Sequence, residues 1–112
     1  EKKTLNLQIY LRSSDFFLAN NWNACTGGFL VYMICNLEGI DLTPGELTVV
    51  TGDTHIYKNH IEAVKENLER TPRPPAKLVI KNKRKDLREF TYEDIEIVGY
   101  HPYPSIKVDM AI

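Results

Sequence analysis

The sequence predicts a mixed α/β (α+β) domain, and three observations carry that prediction. Strict apolar–polar alternation marks a strand at Thr4–Leu11, with Leu5, Leu7, Ile9 and Leu11 on one side. An almost wholly apolar stretch from about Ala24 to Leu37 reads as a buried helix rather than a surface amphipath. Strand-like runs at Glu46–Thr51, Leu78–Ile80 and Ile95–Tyr100 then alternate with helical ones. At 112 residues the chain is one domain or a piece of one.

Between the first strand and the helix, Arg12-Ser13-Ser14-Asp15 is a polar cluster, and Asn20-Asn21-Trp22-Asn23 offers several helix caps. Gly39 fits the helix C-terminus, and Pro44-Gly45 marks a turn before the second strand. That strand ends at Gly52-Asp53-Thr54-His55-Ile56-Tyr57. Ile61, Val64 and Leu68 then recur at helical spacing, and Thr71-Pro72-Arg73-Pro74-Pro75 stops the helix. Glu62 and Glu66 form a like-charged pair four apart, which reads as solvation. The run Lys81-Asn82-Lys83-Arg84-Lys85 reads as a solvated basic turn, and Thr91–Asp94 as a helical turn. Ile106–Met110 alternates again near the end.

Composition excludes several classes. Fourteen Lys+Arg against fifteen Asp+Glu leave a formal charge of −1, which argues against a general nucleic-acid binder. With 43% hydrophobic residues the chain can bury a core and is not disordered. No apolar run approaches the roughly 20 residues of a membrane span. Glu1-Lys2-Lys3 leads straight into a strand pattern, so no signal peptide is expected, and the absence of an initiator Met leads us to expect a fragment or processed product. Cys25 and Cys35 are too few for a disulfide framework and read as buried reduced thiols of a cytoplasmic protein. His55 and His60, five apart and without a cysteine pair, do not make a zinc site, and no metal is expected.

Polar clusters directly after strands are where ligands gather. Arg12 beside Ser13 offers a guanidinium and a hydroxyl suited to a phosphate. The Asn23 amide pairs an acceptor with a donor, matching a uracil edge and mismatching cytosine. His55 and Tyr57 are spaced to reach one sugar hydroxyl. Each has a plainer reading: Arg12 a surface ion pair, Asn23 a helix cap, His55 a core or capping histidine.

The order of these motifs resembles that of thymidylate synthases. Arg12-Ser13-Ser14-Asp15-Phe16-Phe17-Leu18, then Asn23, then Gly52-Asp53-Thr54-His55-Ile56-Tyr57-Lys58-Asn59-His60 carry the resemblance. So do Arg70-Thr71-Pro72-Arg73-Pro74, Ile97-Val98-Gly99-Tyr100 and the closing Ile106-Lys107 … Met110-Ala111-Ile112. The resemblance runs the length of the chain. It implies the C-terminal portion of a single thymidylate synthase α/β sandwich domain, residues 1–112, with a viral enzyme or a bifunctional dihydrofolate reductase–thymidylate synthase among the sources left open. The implied reaction is reductive methylation of dUMP to dTMP with 5,10-methylenetetrahydrofolate as cosubstrate. The implied partners are dUMP, folate, a second subunit of a homodimer and the N-terminal portion, with no membrane or specific nucleic acid.

Carried over residue by residue, the resemblance places Arg12 and Ser13 on the 5′-phosphate, with Ser14 beside them. Asp15 faces the folate pterin near dUMP, and Asn23 orients the pyrimidine. His55 and Tyr57 hold the ribose with Ile56 between them. Leu18 and Ala111 meet the folate, Ala111-Ile112 closing over it. The nucleophilic cysteine lies in a Pro-Cys-His context that this chain lacks, so Cys25 and Cys35 are not assigned that role and the chain alone is expected to be inactive. Departures from the family pattern are Leu11 for Gln, Ala19 for Gly, Asn21 for Pro and Trp22 for Phe. Two alternatives stay open: a pyrimidine-nucleotide hydroxymethylase of the same superfamily, or a non-catalytic piece that only binds a partner.

Overall fold

The computed structural model describes residues 3–110. Its elements run β1 (Thr4–Asp15), α1 (Asn20–Cys35), β2 (Thr43–His55), α2 (Ile61–Leu68), β3 (Lys77–Ile80) and β4 (Ile95–Val98), with one-turn 3-10 segments at Lys58–His60, Leu87–Glu89 and Tyr92–Asp94. The arrangement is mixed α/β, as the alternation of patterns predicts.

β1 and β2 pair in parallel, and parallel neighbours need a crossover, which α1 supplies. Along β1 the apolar Leu5, Leu7, Ile9 and Leu11 are half-buried while Thr4, Asn6, Gln8 and Tyr10 are exposed, so the alternation holds. Both strands outrun their apolar runs. β1 continues through Arg12-Ser13-Ser14-Asp15, and β2 begins at Thr43 and continues to His55. Pro44-Gly45 is therefore not a turn before the strand but the start of it. Pro44 has no N–H to give, and the register slips between Leu5 and Leu7, where the Glu46 N–H finds the Asn6 Oδ1 at 2.8 Å instead.

α1 starts four residues earlier than expected, at Asn20, and Ala19 occupies its N-cap position without a side-chain cap bond. Gly39 lies beyond the C-cap residue Asn36, in a following turn at φ +76°, a conformation that favours glycine. Burial is not uniform round the helix. Only Gly27, Val31 and Cys35, four apart, are buried, and they form the stripe that meets the sheet. A Cβ on Gly27 would meet only the Ile9 and Leu47 methyl groups, the movable ends of their side chains. Cys25 is exposed, contrary to expectation, because it lies off that stripe. Burial does push the Cys35 thiol pKa up, which keeps it protonated and inert.

β3 and β4 form a separate antiparallel pair, with Lys77 opposite Val98 and Ile80 opposite Ile95. Ile95–Val98 thus pairs with Lys77–Ile80 and not with the β1–β2 sheet. The strand stops at Val98 because Gly99 takes φ +72°. A cavity of about 590 Å³, lined by Cys25, Phe29, Tyr32, Leu78, Val79 and Ile97, lies between α1 and this pair.

Arg84 breaks the expectation of a solvated basic loop. It donates to the fully buried Asp94 through Nε at 3.1 Å and Nη2 at 2.6 Å, and Asn82 and the Thr91 N–H add bonds of 2.8 and 2.9 Å. First the Arg84 contact, then the Thr91 N–H and Asn82, hold this carboxyl well below the usual carboxylate range. The Arg84 backbone bonds Asn36 and Glu38, tying this cluster to the end of α1. The charges on α2 are also paired: Glu62 with Lys65 at 2.7 Å and Glu66 with Arg70 at 3.1 Å. The segment after β4 is strapped to the end of α2. Arg70 donates to the Pro104 carbonyl and Arg73 to those of His101 and Pro102, with the Tyr103 ring 3.8 Å from the Arg73 guanidinium. Ile106–Met110 alternates in sequence but pairs with no strand among the described residues.

Candidate functional site

Two parallel strands deliver their carboxyl ends to the same edge of the sheet, and ligands of α/β proteins collect beyond such ends. Here the register sets Ser13 opposite Asp53, Ser14 opposite Thr54 and Asp15 opposite His55. The Phe16 N–H then donates to the His55 carbonyl at 3.0 Å, holding the two chains together past the strands. Motifs forty residues apart in sequence become neighbours. Gly52 is what allows it: a Cβ there would lie 2.7 Å from the Arg12 carbonyl oxygen.

Arg12 and Ser13 are exposed, and no carboxylate pairs with Arg12 among the described residues, so the surface ion-pair reading is not met. Ser14 is buried, its hydroxyl 3.4 Å from the Asn20 Oδ1. It supports the α1 entry rather than the open edge. Asp15 is half-buried and its Oδ1 accepts the Leu18 N–H at 3.1 Å. That bond closes the turn Phe16–Leu18, fixes Asp15 beside Leu18 and uses only one carboxylate oxygen.

His55 is half-buried at the strand end, not in the core. Its Nδ1 stands 3.7 Å from the Asp53 carboxylate, and its ring meets Tyr57 edge-on at 5.0 Å between centroids. Ile56 and Tyr57 are 45% and 41% exposed, so this edge is open to a ligand. Asn23 is not a helix cap. It sits within the first turn of α1, its N–H bonded to the Ala19 carbonyl at 3.0 Å. It lies one turn before Gly27 on the sheet-facing stripe and is half-buried, which brings it toward the strand ends and not into solvent. Ala111 and Ile112 lie outside the described residues.

Beside this edge is an apolar cleft of about 560 Å³, lined by Phe16, Phe17, Leu18, Trp22, Ile56, Leu68 and Ile106 among others. Leu18 and Ile56 carry its wall from one motif to the other. Two of the departures from the family pattern, Asn21 and Trp22, also line it, and Trp22 is 71% exposed there. Ala19 takes φ −102° and ψ −28°, which any residue adopts, so a glycine is not required at that position. Leu11 simply continues the half-buried apolar row of β1.

Three residues that the motif reading left without a role are organised around the same place: Asn59, His60 and Asp109. His60 is fully buried, and both it and Asn59 bond the Asp109 carbonyl. The sequence signal is a polar pair directly ahead of an amphipathic helix, which a solvated turn explains equally well. No group of three or more His, Cys, Asp or Glu side chains placed to hold a metal occurs among the described residues. Nor is any helix there long and apolar enough to cross a membrane.

Comparison with known proteins shows the family. The family model described as thymidylate synthase matches residues 1–112. A thymidylate synthase of Pseudomonas fluorescens (strain SBW25) is 45% identical over 108 residues, which is 96% of this chain and 38% of that protein. The Homo sapiens thymidylate synthase is 44% identical over 108 residues, 96% of this chain and 34% of its own length. One from Buchnera aphidicola subsp. Acyrthosiphon pisum (strain Tuc7) is 41% identical over 109 residues, 97% of this chain and 40% of its own. The chain therefore spans about two-fifths or less of the curated relatives it matches.

Proposed function

The chain belongs to the thymidylate synthase family, and we propose that it forms the C-terminal part of an enzyme that converts dUMP to dTMP by reductive methylation. The observation that carries this reading is the parallel register that sets Asp15 opposite His55. It unites a phosphate-type cluster, a ribose-type pair and an apolar cleft on one edge. In this reading the exposed Arg12 and Ser13 bind the 5′-phosphate through charge-assisted bonds, while Ser14 positions the turn from beneath. His55 and Tyr57 hold the ribose hydroxyl, with Ile56 packing between them. Asn23 pairs with the uracil edge, donating to its carbonyl and accepting from its N–H.

5,10-Methylenetetrahydrofolate, when bound, supplies both the one-carbon unit and the hydride. In this reading the cleft takes the ring portion of the cosubstrate, with Leu18 and Trp22 against its faces and Asp15 accepting a bond from the pterin. Ala111 would close the site against water. The attacking cysteine is assigned to the portion that the longer relatives possess and this chain does not match. Cys35 is unsuited to the role because burial keeps its thiol protonated. This chain then contributes orientation: nucleotide and folate are held so that the reacting carbons meet. The active unit in this proposal is a cytoplasmic homodimer.

The test uses the full-length protein containing this span. Arg12→Ala should lower kcat/KM for dUMP by about tenfold to a hundredfold, the size of a charge-assisted bond lost to phosphate. Product analysis should show dTMP. A 5-hydroxymethyl product would replace this reading with that of a hydroxymethylase, and no product with either nucleotide would leave a binding piece.

A further inference from the structure

We infer that Asn59 and His60 are a latch: two donors that converge on the Asp109 backbone carbonyl and so set the stance of the tail 106–110 along the cleft. The Asn59 Nδ2 lies 3.1 Å from that oxygen and the His60 Nε2 2.8 Å from it, some fifty residues along the chain. A carbonyl only accepts, so the His60 Nε2 carries the proton and Nδ1 keeps a lone pair. That Nδ1 is buried and has no partner. A fully buried imidazole with one orphaned nitrogen is a poorer core residue than a phenyl ring. Its packing alone therefore does not account for it. Its donor does.

The tail has little else to hold it. Among the described residues no strand pairs with Ile106–Met110, and the straps from Arg70 and Arg73 end at Pro104. Yet Ile106 lines the apolar cleft, and with Leu18, Asn59, Lys107, Val108 and Asp109 it also lines an adjoining, more polar pocket. Where the carbonyl is held decides where that wall stands. The latch also touches both halves of the proposed site. The His60 ring lies 5.8 Å from Phe17 on the β1 side and 5.8 Å from Tyr57, which itself meets His55. The two residues are positioning residues, and their effect on folate rests on the function proposed above.

The experiment uses the full-length protein, with His60→Phe keeping the ring, His60→Gln restoring a donor, and the exposed Asn59→Ala leaving the core untouched. Tryptic cleavage after the exposed Lys107 is followed without ligand, with cleavage after the exposed Lys85 as internal control. Losing one of the two bonds should speed cleavage at Lys107 about threefold to tenfold in Asn59→Ala and His60→Phe, with Lys85 unchanged. His60→Gln should recover most of the protection. The KM for folate should rise by a similar factor while dUMP affinity stays within twofold. Unchanged cleavage in folded Asn59→Ala overturns the latch, and so does faster cleavage at both lysines. If the wild-type protein turns over no dUMP, the functional reading fails alone, because the ligand-free cleavage still decides the latch.

Discussion

Asn23 shows how one side chain can separate a binding role from a structural one. Its amide suits uracil, whereas a carboxylate only accepts and so suits the cytosine amino group. In the full-length protein Asn23→Asp should shift the kcat/KM ratio from dUMP toward dCMP by about tenfold to a hundredfold, the cost of a mismatched polar pair in a closed site. An unchanged ratio with normal folding would remove Asn23 from the pyrimidine contact. Sequence reasoning offered capping as its rival, and the helix settles that point because Asn23 lies inside the first turn. Asp94 is the opposite case, a residue whose weight no pattern revealed. In sequence it is one acidic residue in a short turn; folded, it is the buried end of an Arg84–Asn82–Thr91 cluster. Its carboxyl pKa is depressed by folding, so its stabilisation is complete above the unfolded value of about 4 and fades as pH falls toward the lower folded value. Asp94→Asn should therefore lower Tm at pH 7, and the gap from wild type should shrink in melts taken below about pH 4.

At the scale of elements, two glycines make the contrast. A Cβ on Gly52 meets the Arg12 backbone carbonyl, which can yield only if the strands move apart. Gly52→Ala should cost about 1–3 kcal/mol and misalign Asp15 against His55, raising KM for dUMP. A Cβ on Gly27 meets only methyl ends of Ile9 and Leu47, which can rotate, and alanine favours the helix by about 1 kcal/mol. Gly27→Ala should be near neutral. Denaturant melts of the two variants of the full-length protein check the order, and equal losses would contradict it. The kind of each element was legible because apolar periodicity reports burial directly. The strand ends were not. Arg12–Asp15 and Gly52–His55 stay in the ladder by backbone pairing, which polar side chains neither reveal nor forbid. Partnership between strands was hidden for the same reason: the pattern of Ile95–Tyr100 fits either sheet, and only contacts with Lys77–Ile80 decide it. The candidate site was legible as two motifs; their adjacency came from register.

Taken whole, the molecule is extended for its length. Its radius of gyration is 16.6 Å, against about 13 Å for a compact chain of this size. Its accessible surface is 8872 Å², where a compact monomer of this mass exposes about 6,300 Å². The excess exceeds the roughly 1,600 Å² buried in a standard protein interface. Much of it is apolar. Tyr10 and Val50 stand out from the sheet face opposite α1, and Leu68, 77% exposed, projects from the helix whose apolar spacing it completes. The buried apolar core among the described residues is correspondingly small: Val31, Cys35 and Ala63. Hydrophobic burial is the main term that offsets chain entropy, and here too little of it is realised within 112 residues. The open faces are where the remainder of the relatives' length would pack. Expressed alone, these 112 residues should therefore run as oligomers or aggregates in size exclusion with light scattering and show no sharp melting transition. They should also release tritium from 5-tritiated dUMP only at background with the folate present, since neither Cys25 nor Cys35 stands in a Pro-Cys-His context. A monomer with a cooperative, concentration-independent melt would show that the exposed faces need no cover, and turnover by that monomer would place the whole active site in this chain.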